Sequence, residues 1–165
     1  MEALKKRRSI RVFEPGRAVE REKIDQMIEA AQFAPSARNG RPWHFVVIED
    51  RDKLNHIAEK NPSTGMLRGA PLAILVCADT ELSPIFWTGD CGAATQNLLL
   101  SAHEMGIGTC WCAAHGFPEL EALFADVCKL PPNVKPFACI AVGYPAQQPA
   151  SPDRADPSRV HNNTF

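Results

Sequence analysis

Residues 84–106 read Pro-Ile-Phe-Trp-Thr-Gly-Asp-Cys-Gly-Ala-Ala-Thr-Gln-Asn-Leu-Leu-Leu-Ser-Ala-His-Glu-Met-Gly. The run predicts the longest helix of the chain, over 84–105, with Pro84 near its start and Gly106 just past its end. Its faces are small and apolar nearly all round: Ala93, Ala94, Leu98, Leu99, Leu100 and Ala102. A helix that is apolar on every side is buried, in a core or against another subunit. In a chain of 165 residues the second solution is attractive, and a dimer is the expectation.

Working outward, Leu72-Ala-Ile-Leu-Val-Cys77 is an unbroken apolar run of strand length and reads as a central strand. Thr109–Cys112 and Phe137–Val142 read as further strands, with a helix over 117–127 between them. Upstream, Ile24, Met27, Ile28 and Ala31 recur at helical spacing within 20–33, and Pro35 closes that element. A polar loop, Ser36–Pro42, leads into a β-branched run, His44–Ile48, and then a short helix over 51–60. Residues 61–71 hold Pro62, Gly65, Gly69 and Pro71 and read as a broken loop or short helical piece. The tail from Ala146 carries Pro149, Pro152 and Pro157 and cannot stay regular for long. No repeat or second domain is evident. The expectation is one domain over 1–165, an α+β or α/β sandwich around one mixed sheet, with 146–165 as an extended arm.

Composition narrows the function classes. Hydrophobic content of 45% and charged content of 22% are ordinary for a globular protein. No apolar run approaches the ~20 residues that span a bilayer. The opening residues lack the apolar stretch of a secretory signal. A net charge of −1 argues against a general nucleic-acid binder. The six cysteines, Cys77, Cys91, Cys110, Cys112, Cys128 and Cys139, include no Cys-x-x-Cys pair and sit mostly in apolar stretches. They read as reduced core thiols of a cytoplasmic protein. Cys110 and Cys112 share one face of a strand, but no histidine cluster accompanies them, so no metal site is expected.

Against that neutral background, Lys-Lys-Arg-Arg-Ser-Ile-Arg at 5–11 concentrates five of the chain's 18 basic residues. Guanidinium forks beside the Ser9 hydroxyl suit a phosphate. The knot runs straight into Ile10, Val12 and Phe13, so it reads as part of a folded site rather than a loose arm. Gly106-Ile-Gly108 follows a helix and precedes a strand, the reverse of a dinucleotide fingerprint, and reads as a helix cap and tight turn. His44, His56, His103, His115 and His161 have no nucleophile partner in a known local setting. With no acid–base machinery in sight, a cofactor is the expected agent of chemistry.

Five blocks resemble the FMN-dependent nitroreductase family: Arg-Arg-Ser-Ile-Arg-Val-Phe (7–13), Ala-Pro-Ser-Ala-Arg-Asn-Gly-Arg-Pro-Trp-His-Phe (34–45), Asp-Cys-Gly-Ala-Ala-Thr-Gln-Asn-Leu-Leu-Leu (90–100), Met-Gly-Ile-Gly-Thr-Cys-Trp (105–111) and Ile-Ala-Val-Gly-Tyr-Pro (140–145). They occur in the family's order and cover nearly the whole chain. The resemblance implies a dimeric three-layer α/β/α sandwich with a mixed, mainly antiparallel sheet, and FMN at the subunit interface. It implies that Arg7 and a C-terminal Arg, Arg154 or else Arg159, hold the FMN phosphate. Arg8, Ser9 and Arg11 then address the ribityl chain and the pyrimidine edge. Pro35, Ser36, Ala37, Arg38 and Asn39 reach the flavin of the partner subunit. The backbone of Cys112, Ala113 and Ala114 approaches flavin N5, here with a methyl where the family commonly has glycine. A residue of 61–68 meets the pyrimidine edge, and the C-terminal arm wraps the partner.

The implied reaction moves hydride from NADH or NADPH through flavin N5 to a nitroaromatic, quinone or similar acceptor by ping-pong exchange. Enone reduction, dehalogenation, ring dehydrogenation and a non-catalytic FMN-binding sensor or reservoir remain alternatives. Asp90 reads as a structural hydrogen-bond acceptor and Trp43 as core. Phe86 and Trp87 stand either in packing or along the substrate side of the flavin.

Overall fold

Leu72–Asp79 is buried over all but its last residue, as an unbroken apolar run requires, and everything else is layered on it. The computed structural model describes residues 2–165. Four strands, β1 (Trp43–Ile48), β2 (Leu72–Asp79), β3 (Gly108–Ala113) and β4 (Val134–Gly143), form one sheet in the order β1-β2-β4-β3. All three pairings are antiparallel. The parallel component of the sheet is a single bridge between Ser9 and Thr109.

Among the described residues five α-helices accompany the sheet, α1 (Glu2–Lys6), α2 (Arg21–Gln32), α3 (Arg51–Lys60), α4 (Trp87–Glu104) and α5 (Pro118–Cys128), with three 3₁₀ segments, Ala37–Asn39, Pro62–Arg68 and Pro157–Arg159. The period of two along the strands divides the core. Leu72, Ile74, Val76 and Ala78, with Ile140 and Val142, pack with Ile24, Met27, Ala94 and Leu98 of α2 and α4. Ala73, Leu75 and Cys77, with Cys139 and Ala141, pack with Leu54, Ile57, Leu120 and Phe124 of α3 and α5. This is the expected three-layer α/β/α sandwich. No helix is long and apolar enough to cross a membrane among the described residues.

Local chemistry explains the element ends. Asp50 caps α3, its carboxylate accepting from the Asp52 and Lys53 amides at 2.9 and 3.1 Å. Asn61 does the same for the Pro62–Arg68 segment, accepting from the Ser63 amide at 2.8 Å. α4 begins at Trp87, three residues later than Pro84, because Ser83 to Phe86 form the turn that leads into it. The strand expected over 137–142 starts earlier, at Val134, and its register slips where Val76 faces Ala138 while Cys77 faces Pro136. Pro136 has no amide to donate, and the extra residue, Phe137, forms a bulge. The Phe137 carbonyl then accepts from both Ala114 and His115, at 3.1 and 3.0 Å, and ends β3 there. Helix α1 has no counterpart in the sequence expectation. Its five residues are too few to show a period.

A pair of glycines positions the N-terminal segment. Gly108 and Gly143 are cross-strand partners on β3 and β4. A Cβ on Gly108 would lie 2.9 Å from Ile10, and one on Gly143 would lie 2.6 Å from Pro71 and 2.9 Å from Phe13. The missing side chains leave a trench in which Ile10 and Phe13 lie buried. Gly143→Ala should therefore destabilise the fold by about 1–3 kcal/mol through overpacking against two rigid rings. A denaturant midpoint unchanged from wild type would refute that packing.

Candidate functional site

The arginine knot is extended, not helical, beyond Lys6, and it is stitched to the sheet edge. The Ile10 amide donates to the Thr109 carbonyl at 2.9 Å, next to the Ser9–Thr109 bridge. The C-terminal arm returns over the same segment: the Ala146 amide donates to the Val12 carbonyl at 2.9 Å, and the Arg11 amide to Gln147 Oε1 at 3.3 Å. Arg8 clamps the arm. Its Nε donates to the Ala150 carbonyl at 3.1 Å and its Nη1 to the Lys5 and Arg7 carbonyls at 2.7 and 2.6 Å, while its Nη2 reaches the Ser151 hydroxyl. Arg8 is thus engaged with protein acceptors, whereas Arg7 and Arg11 have no such side-chain partners among the described residues.

Three cavities open along the knot, two of them large. The first, about 460 Å³, is lined by Arg7, Arg8, Ser151, Asp153 and Arg154. Burial lowers the affinity of the Arg7 guanidinium for its proton, and the nearby charges of Arg154 and Arg8 add to the effect. Two guanidinium groups held within reach of each other make a site that an anion relieves. Arg159 lies outside this cavity and donates to Asp156 at 2.9 Å. Residues from Asp153 to Phe165 are exposed throughout, including the side chains of Val160 and Phe165.

The second cavity, about 400 Å³, is lined by Arg11, Asn61, Ser63, Met66, Phe117 and the strand residues Cys110–Ala113. The 61–68 stretch, whose place sequence reasoning leaves open, brings Asn61 and Ser63 here. Asn61 uses its carbonyl oxygen as the cap, so its side-chain NH₂ is the group left to meet a ligand. Trp111 and Ala113 are exposed on β3, while Cys112 and Ala114 point into the core. The Ala114 amide is bonded to Phe137 within the sheet, so a free backbone donor at this edge has to come from residues before it.

All six thiols are free, and five are buried. Cys110 and Cys112 share a face of β3, and Cys112 Sγ lies 3.5 Å from Met66 Sδ. The neighbouring Cys112 side chain, with Arg11 and Arg7, lowers the pKa of Cys110, while the Cys110 side chain and burial raise that of Cys112.

The Pro35–Asn39 loop stands elsewhere. It precedes β1, three strand spacings or about 14 Å from β3, and none of its residues lines either cavity. Its backbone is unusual: Arg38, Asn39 and Arg41 have φ of 53°, 56° and 44°. Non-glycine residues in that region are strained and persist where surroundings hold them. Asp90 does so from α4, accepting from the Ala37 amide at 2.8 Å and from the Ser83 hydroxyl at 2.8 Å. Ser36 Oγ accepts from the Arg41 amide at 3.0 Å. Nearby, Trp87 is buried against His115 and Phe137, with ring centroids 4.5 and 6.2 Å away, while Phe86 is exposed. Trp43 is core.

Residues 4–64 and 58–144 match the nitroreductase family, which is nearly the whole chain. The chain belongs to the nitroreductase family. It is 42% identical over 163 residues, 98% of its own length and 85% of the relative's, to a Methanothermobacter thermautotrophicus protein named provisionally as an NADH dehydrogenase/NAD(P)H nitroreductase. An FMN-dependent nitroreductase from Clostridium difficile shares the fold with a TM-score of 0.93 at 32% identity, over 99% of this chain and 98% of that one. A Desulfovibrio desulfuricans structure described provisionally as a nitroreductase in complex with FMN matches with a TM-score of 0.83 at 31% identity, over 99% and 96%.

The thiol pair of this nitroreductase-family chain carries its own prediction. The first ionisation of the Cys110–Cys112 pair should fall below the ordinary thiol range and the second above it. Thiolate forms as pH rises, so Arg11→Ala should move the first step to higher pH. Thiolate absorbance followed against pH in wild type and variant checks this; coincident first steps would remove Arg11 as the cause.

Proposed function

We propose that the protein is an FMN-dependent NAD(P)H oxidoreductase, a cytoplasmic homodimer with FMN at each subunit interface. The observation that carries this reading is the pair of cavities flanking one arginine segment, with Arg7 and Arg154 in the first and Arg11 beside the β3 backbone in the second. The residues fit the group: a cavity where Arg7, Arg8 and Arg154 outnumber the one carboxylate, Asp153, suits a phosphate, and a cavity floored by a strand edge suits a flat ring. Residue types alone do not specify this arrangement, and the family membership and the FMN complex of the Desulfovibrio relative support it.

When bound, FMN supplies the redox chemistry, exchanging hydride between a nicotinamide donor and an oxidised acceptor of nitroaromatic or quinone type. The chain's own residues bind and tune. Arg7 and Arg154 hold the phosphate. Ser9 is the hydroxyl donor between the two cavities, and Arg11 and Asn61 hydrogen-bond the pyrimidine edge. A fixed cation there favours negative charge as it develops on the ring system. Arg8 acts one step removed: it fixes Ala150–Pro152, and so the position of Arg154. The backbone of Cys112–Ala114 forms the wall facing the reactive edge, and the Ala113 methyl limits how closely the ring approaches. The Pro35–Asn39 loop, preformed by Asp90 and placed away from its own chain's cavities, completes the site of the partner subunit. Hydride exchange at the flavin needs no side-chain nucleophile.

The test is spectroscopic. The purified protein should be yellow or reconstitute with FMN, and anaerobic NADH or NADPH should bleach it. A colourless protein that cannot take up FMN overturns the flavin reading, and a flavin that neither donor bleaches leaves a reservoir rather than a reductase. Arg7→Ala should weaken FMN binding by about 1.5–3 kcal/mol, the scale of a charged hydrogen bond. Unchanged affinity at fixed salt would assign Arg7 to the surface.

A further inference from the structure

A further concavity, about 390 Å³, lies between Glu14–Ala18, Arg51 and Arg68–Pro71. Three arginines line it, Arg17, Arg51 and Arg68, and Glu14 is the single carboxylate in the lining. Arg51 is immobilised: its Nη1 donates to the Leu67 and Arg68 carbonyls at 2.9 and 3.0 Å, and its Nη2 to the Ala70 carbonyl. Arg17 lies over the Tyr144 ring, 3.3 Å from its centroid, and donates to Glu14 at 2.7 Å. Arg68 is exposed and has no hydrogen-bond or ion-pair partner among the described residues. The result is a preorganised positive concavity with one guanidinium fork unused. Such a fork matches a phosphate monoester, whose oxygens it can bind in pairs.

Two chain segments link the concavity to the second cavity over short stretches. Arg11 lines one and Glu14 the other, a reach of no more than about 10 Å of extended chain. Pro62 and Arg68 stand likewise, about 12 Å apart along a 3₁₀ segment at its usual rise. A dinucleotide is long enough to place its nicotinamide in the second cavity and its adenosine ribose at this concavity. The 2′-phosphate on that ribose is the one group that separates NADPH from NADH, and it is a phosphate monoester.

We propose that this concavity receives the 2′-phosphate of NADPH and that Arg68 selects NADPH over NADH; the inference rests on the oxidoreductase reading above. Titration of adenosine 2′,5′-bisphosphate into the full chain should show binding at least about tenfold tighter than adenosine 5′-monophosphate, and Arg68→Gln should abolish the difference. In turnover, Arg68→Gln should raise the KM for NADPH about tenfold while kcat and the NADH kinetics stay within about twofold. Equal affinity for the two nucleotides, or a bisphosphate affinity indifferent to Arg68→Gln, overturns the assignment. Inorganic phosphate competing as well as the bisphosphate does so too, since it marks an undiscriminating anion site. If neither NADH nor NADPH bleaches the flavin, the oxidoreductase reading fails on its own account, and the nucleotide titration still decides what the concavity binds.

Discussion

The close approach of Ile10 and Phe13 to the Gly108–Gly143 pair is the contact on which the site depends. Those two side chains can seat only because two facing strand positions carry no Cβ. Seated there, the segment from Arg7 to Phe13 is drawn along the sheet edge and locked by the Ile10–Thr109 hydrogen bond. Arg7 and Arg11 are then held at fixed places along one extended stretch, each lining a different cavity. Anchoring apolar residues and cavity-lining basic residues interleave, so burial of one set orders the other. A basic tail without Ile10 and Phe13 would carry the same charge and have no fixed geometry.

The C-terminal arm is the second layer of that arrangement. Arg8 does not extend toward a ligand but gathers backbone carbonyls of residues 5, 7, 150 and 152, tying the two ends of the chain together. The placement of Arg154 is therefore conditional on Arg8. The two neighbouring arginines of the motif differ: Arg7 lines the first cavity, and Arg8 secures the arm that brings Arg154 to the same lining.

Much of the architecture was legible in the sequence. Apolar runs of strand length, helical spacing in 20–33 and the small and apolar residues of the 90–102 stretch each reported burial that the sandwich contains. What escaped was set by tertiary contacts. Helix α1 is too short to have a period. The early start of β4 was obscured by Pro136, which a strand admits here only through the bulge at Phe137. The 61–68 stretch offered proline and glycine but no period, and its Asn61 and Ser63 gain meaning only from facing Arg11 across a cavity. The arm's route over Arg8 was likewise invisible, since prolines exclude regular structure without saying where a chain goes. The motif blocks located the basic knot and the 35–39 loop, but not the distance between them.

The loop over residues 35–42 has a consequence for association. Three residues held in left-handed conformations cost of the order of 1–3 kcal/mol each, and here Asp90, Ser36 and Ser83 hold them within one chain. Its shape is settled before anything arrives opposite it. A surface of this kind loses little freedom on contact, so the entropic penalty of docking a floppy loop does not arise, and complementarity is tested against a rigid template. Discrimination between partners then comes from shape rather than from the capacity to adapt, and a mismatched surface is rejected by steric misfit instead of being accommodated.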